Sequence, residues 1–104
     1  MVDSFIRVGA ATPEVKVADT AFNASKIVEA AKQAADHDCG ILVFPELSIT
    51  GYTCGDLFLQ SALIESAKKA LINIASKTAD LDMVIIAGIP VVYGGKLYNC
   101  AAVL

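Results

Sequence analysis

Residues Ile41 to Phe58 read ILVFPELSITGYTCGDLF. Ile41 to Phe44 is an unbroken apolar run, the pattern of a strand with no solvent side to alternate with. Pro45 stops it, because proline has no N–H to give to a ladder. Glu46 then stands at the carboxyl end of a buried strand, where open α/β sheets place their ligand crevices. The loop beyond it carries Thr50-Gly51-Tyr52 and Cys54-Gly55-Asp56, and loops held by rigid strands carry function more often than the elements they join. Position alone does not make Glu46 catalytic. A carboxylate after a strand is more commonly a solvated loop residue or the cap of a nearby helix.

Towards the N-terminus, Phe5 to Thr12 reads as a strand with Ile6, Val8 and Ala10 on one face and Arg7, Gly9 and Ala11 on the other. Glu14 to Thr20 is a polar connection. Asn23 is the expected N-cap of a helix, with Phe22 and Ile27 as a hydrophobic staple. That helix runs to about Asp38 on a stripe of Ala24, Ile27, Val28, Ala31, Ala34 and Ala35. Gly40 is the expected left-handed residue past its end. Towards the C-terminus, Asp56 is expected to cap a short turn through Leu59. A second helix spans about Ser61 to Ala79, with a stripe of Leu63, Ile64, Ala67, Ala70, Leu71, Ile74 and Ala75. Met83 to Ile89 is a further apolar strand, ended by Pro90. Gly94-Gly95 is a two-residue hairpin signal, and Leu97 to Leu104 forms the last strand.

The order is β–α–β–α–β–β, an α/β arrangement in which crossovers between parallel strands are right-handed. The strands read as buried on both faces. Two helices cover one face, and no third long helix is present for the other.

At 104 residues the chain is one domain or part of one. Apolar residues make up 56% and charged residues 18%, a skewed balance for a small body that must expose much surface. The composition therefore predicts burial against something beyond these residues. The net charge of −3 comes without a basic cluster, so nucleic acid is not an expected partner. The start, MVDSFIR, lacks a leader pattern, and no apolar run approaches the roughly 20 residues that span a bilayer. The odd cysteine count (Cys39, Cys54 and Cys100) has no CxxC spacing, which argues for reduced thiols in the cytoplasm. His37 and Cys39 are too few for a metal site and share no helical face.

The string F-P-E-L-S-I-T-G-Y, Phe44 to Tyr52, resembles the motif around the glutamate of the nitrilase (carbon–nitrogen hydrolase) superfamily. The extension T-C-G-D-L-F, and the opening RVGAATPEVKVAD from Arg7 to Asp19 followed by Phe22-Asn23, look like one branch of it, the glutaminase domain of glutamine-dependent NAD synthetases. The resemblance runs from about Arg7 to Leu104. It implies an α–β–β–α sandwich in which two sheets pack face to face. By that resemblance the chain is expected to be its leading β-α-β-α-β-β portion, a single incomplete domain over residues 1–104 whose C-terminal remainder is absent.

The superfamily works on carbon–nitrogen bonds with a glutamate, a lysine and a cysteine. A thiolate is a strong nucleophile for an amide carbonyl. It needs a base, which a desolvated carboxylate supplies, and a fixed ammonium stabilises the oxyanion. The resemblance places Glu46 as general base and Tyr52 in substrate binding or carboxylate support. A packed loop aromatic is the equal alternative for Tyr52. Lys96, in the hairpin, does not match the family's lysine, and none of the three cysteines matches the nucleophile. Cys39 lies at the far end of the strand, roughly 17 Å from Glu46 if five residues are extended. Cys54 alone is placed to approach Glu46.

The implied parent hydrolyses glutamine and passes ammonia to NAD synthesis from deamido-NAD. ATP and magnesium belong to a separate synthetase domain, and no cofactor or metal belongs to this segment. The expected partners are glutamine, the remainder of the parent and further copies of the chain in a homo-oligomer. The chain alone is expected to be inactive. The alternatives are another amidase of the superfamily and a truncated, non-catalytic module that self-associates.

Overall fold

A computed structural model describes residues 5–104. Met1 to Ser4, part of the stretch read above for a leader, lie outside the described residues. The elements are β1 (Val8–Ala10), α1 (Thr20–Ala35), β2 (Ile41–Val43), a 3-10 turn (Gly55–Leu59), α2 (Ser61–Lys77), β3 (Val84–Tyr93) and β4 (Lys96–Val103). They follow the order read from the sequence. The sheet runs β1-β2-β3-β4. The first three strands are parallel, with Gly9, Leu42 and Ile85 level with one another. β4 returns antiparallel to β3.

Alternation along the strands decides which side is core. Leu42, Ile85, Ala87 and Ile89 are buried together with Ile27, Ala31, Ala67, Ala70 and Ile74 of the two helices. The alanines let both helices lie close on the sheet and beside each other. Cys100, Ala102 and Leu104 pack on the edge of the same cluster, so Cys100 is a strand residue of the core, as a small apolar side chain would be.

The opposite face is open, as expected of an apolar face whose cover lies beyond these residues. Val8, Val43, Val84 and Val103 are exposed, Val103 to 68%. Both β–α–β crossovers turn with the same hand and lead to the next strand along, so both helices fall on one side. Among the described residues the second face receives only the chain segment just after β2.

Four local expectations change. Asp19, not Asn23, caps α1: its carboxylate accepts from the Phe22 N–H at 3.1 Å, and the helix starts at Thr20 and ends at Ala35. The left-handed residue after it is Asp38 (φ 57), not Gly40; a short polar side chain tolerates that region. Asp56 lies within the 3-10 turn, which has no side-chain cap.

Lastly, β3 continues through Pro90. Ile85 and Leu104 exchange both backbone hydrogen bonds. With that register, residues 85, 87, 89 and 91 turn their N–H groups to β4, whereas 86, 88 and 90 turn away from it. β2 has already ended at position 90, so proline removes no ladder bond there. The hairpin is as read: Gly94 (φ 59) and Gly95 (φ 77) join Tyr93 to Lys96 in the left-handed turn that matches strand twist. Among the described residues no helix is long and apolar enough to cross a membrane.

Candidate functional site

The chain leaves β2 with one more ladder bond, from the Phe44 N–H to the Ile86 carbonyl (2.9 Å). Pro45, Glu46 and Leu47 then pass directly over Gly88 of β3, on the sheet's second face. A Cβ at Gly88 would lie 2.9 Å from the Glu46 carbonyl carbon and would overlap the Leu47 nitrogen. These are backbone atoms, which cannot swing aside. Only glycine permits the crossing.

Two further bonds pin the segment to that point. The Ile49 N–H donates to the Gly88 carbonyl (3.2 Å), and the Gly88 N–H donates to Ser48 Oγ (3.1 Å). The turn closes through the Gly51 N–H to the Leu47 carbonyl (2.7 Å), with Leu47 itself at φ 52. A bulky residue at positive φ is a strained choice, held here by the surrounding bonds. Leu47 to Gly51 are all buried.

Other elements brace the far side of the turn. The Ala18 N–H donates to the Thr50 carbonyl (2.8 Å). Asn23, 1% exposed, bonds Lys16 and Ile49 at once. Cys54 is buried, and its Sγ faces the carbonyls of Thr50 (3.2 Å) and Gly51 (3.4 Å). The thiol thus fastens its own loop. Cys39 is likewise buried, with Sγ 3.2 Å from the Ile41 carbonyl.

Glu46 and Tyr52 flank this closed turn, one at each end. Both side chains reach solvent, Tyr52 to 76%. Tyr52 is therefore not a packed loop aromatic in this chain. The ion pair among the described residues, Lys26 with Glu29, lies elsewhere, and Lys96 stands exposed in the hairpin. Two surface grooves among the described residues are lined without Glu46. One lies beside α1 between Thr12 and Gln33, and the other lies around Arg7, Asp38 and Asp82. Among the described residues no three His, Cys, Asp or Glu side chains gather to hold a metal ion.

The pinned turn presents an exposed carboxylate at a strand end, open on the side that faces away from the helices. Three residues that shape it were not singled out as such from sequence. Gly88 gave a signal, since a glycine inside an apolar strand marks close backbone approach. Ser48 and Asn23 gave none that distinguishes them from ordinary turn and cap residues.

The sequence pattern of the carbon-nitrogen hydrolase family matches residues 7–104. The glutamine-dependent NAD(+) synthetase of Mycobacterium tuberculosis strain H37Rv is 34% identical over 100 residues, which cover 96% of this chain and 15% of that protein. The chain spans about a sixth of the length of such relatives. A crystal structure of a glutamine-dependent NAD(+) synthetase from Cytophaga hutchinsonii superposes with a TM-score of 0.89 at 34% identity, over 95% of this chain and 17% of that one. An amidase of the nitrilase superfamily from Nesterenkonia superposes with a TM-score of 0.72 at 20% identity, over 94% of this chain and 38% of that one. The sheet and helices described above are therefore the leading part of the nitrilase fold.

Proposed function

The chain belongs to the carbon-nitrogen hydrolase family, and from that premise we propose that it is the N-terminal part of a glutaminase domain that feeds ammonia to NAD synthesis. The observation that carries this is the contrast in likeness. Over more than nine-tenths of the chain, glutamine-dependent NAD(+) synthetases match at 34% and 29% identity, against 20% for the amidase.

In this proposal Glu46 is the general base. It takes the proton from a cysteine thiol, which attacks the glutamine amide carbon. The same carboxylic acid then returns a proton to the leaving nitrogen, so that ammonia departs. Tyr52, at the other end of the turn, contacts the substrate. The cysteine and a lysine that stabilises the oxyanion belong to residues of the longer protein beyond Leu104. Those residues also cover the second sheet face and enclose Glu46. The 104-residue chain by itself has no glutaminase activity. ATP and magnesium act in a separate synthetase domain. The described residues hold no group of side chains that fits a metal ion.

The test uses the full-length protein, glutamine labelled with nitrogen-15 at the side-chain amide, deamido-NAD and ATP. The expected result is label in the carboxamide of NAD. Hydrolysis of glutamine or another amide with no NAD formed would favour the amidase reading. Label found in neither ammonia nor NAD would overturn both.

A further inference from the structure

We infer that Asn23 is a positioning residue for Glu46, holding the turn that carries the carboxylate in register with the rest of the site. The inference rests on the proposed role of Glu46 as general base.

Asn23 lies in the first turn of α1 and is 1% exposed. Its side-chain oxygen accepts from the Lys16 N–H (2.8 Å). Its nitrogen donates to the Lys16 carbonyl (2.9 Å) and to the Ile49 carbonyl (2.9 Å). Both donor hydrogens and the acceptor are thus spent on backbone outside its own helix. Lys16 is in the loop after β1, and Ile49 is in the turn after Glu46. One amide joins the loops that follow two neighbouring strands.

A buried amide costs free energy unless every polar atom is matched. An apolar side chain would fill the same volume without that demand. The asparagine suits a different task. The loop and the turn are irregular, and their buried backbone groups need partners that neither helix nor sheet supplies. The Ala18 N–H bond to the Thr50 carbonyl runs beside these three, so residues 16–18 and 49–50 form one braced unit.

The turn is therefore held at two places. Gly88 fixes it to β3 near Glu46, through the close crossing and the Ser48 and Ile49 bonds. Asn23 fixes its far side to α1. Ile49 is bonded to Gly88 through its N–H and to Asn23 through its carbonyl. Without Asn23 only the Ala18–Thr50 bond braces that side, and the segment from Glu46 to Ile49 is free to shift as a unit.

The test is Asn23→Asp in the full-length protein. The aspartate keeps the shape and still accepts from the Lys16 N–H. It sets an oxygen, in place of a donor, against the Lys16 and Ile49 carbonyls. A displacement of the carboxylate by about 1 Å lowers kcat with glutamine about 100-fold. KM for glutamine changes little, because substrate contacts are not removed, and NAD synthesis driven by added ammonia is retained. Asn23→Ser, which keeps one donor and one acceptor in a smaller volume, gives the same split to a lesser degree and serves if the aspartate variant does not fold.

Ile74→Ala is the comparison. It cuts the same core from α2 without touching the turn, so it lowers Tm and leaves kcat per folded molecule unchanged. If both Asn23 variants behave like Ile74→Ala, Asn23 is only a structural residue and the inference is overturned. Glu46→Gln separates the two layers. Full glutamine turnover in that variant would remove the general base itself. Loss of turnover there, with normal kcat in the Asn23 variants, would overturn the positioning role alone.

Discussion

At Gly88 an absent side chain lets the backbone on either side of Glu46 lie against the sheet. Gly88→Ala sets a methyl group against the Leu47 nitrogen and the Glu46 carbonyl carbon. The turn must lift or the strand must bend. Overpacking of this kind costs about 1–3 kcal/mol, so a urea melt of the full-length protein should show a lower midpoint, with glutamine turnover lost along with it. Unchanged stability and turnover would mean that the crossing is looser than the geometry requires. At this scale the sequence was partly legible. The position of Glu46 at the strand end followed from the apolar run and Pro45. Its support did not, because Asn23 looks like any helix cap. Asp19 takes that role, which frees the asparagine amide for Lys16 and Ile49. Local patterns favour the nearest cap; they carry no information on a carbonyl 26 residues away.

The elements themselves were more legible. Periodicity identified both helices and the strands, since each buries a regular stripe or alternation against the same core. Pro90 misled as a stop signal. A strand tolerates proline where its N–H has no neighbour, and that depends on where β2 ends, which β3 alone does not reveal. The hairpin offers a clean test of backbone preference. Gly94 has φ 59 and open space where a Cβ would stand. Gly94→Ala should therefore destabilise by about 1–2 kcal/mol through conformation alone. Pro90 is buried, so Pro90→Ala, which restores an N–H with no sheet partner, should destabilise by about 1–3 kcal/mol, the cost of an unmatched buried donor. Unchanged stability of Pro90→Ala in thermal or urea melts would contradict a buried, unpartnered backbone position at residue 90, and with it the register given for β3.

For the whole molecule, the second sheet face is the dominant surface feature. Val8, Val43, Val84 and Val103 form an exposed apolar row beside the open turn of Glu46. Its apolar composition was legible, but what covers it was not, since among the described residues only the segment just after β2 crosses that face. The isolated 104-residue chain should therefore self-associate. Light scattering should give a mass above that of one chain, and Val43→Lys with Val103→Lys should lower it. A single-chain mass before substitution would show that the face is tolerated in water.

The central claim is that Glu46 serves glutamine hydrolysis and not the later steps of NAD synthesis. Glu46→Gln in the full-length protein, assayed in parallel with glutamine and with ammonium as nitrogen source, tests it most directly. Glutamine-driven synthesis should fall by at least about 100-fold, the usual contribution of a positioned general base, while ammonia-driven synthesis persists. Glutamine-driven synthesis at the parent rate would contradict the account, and equal loss of both would mean that the substitution damages the protein as a whole.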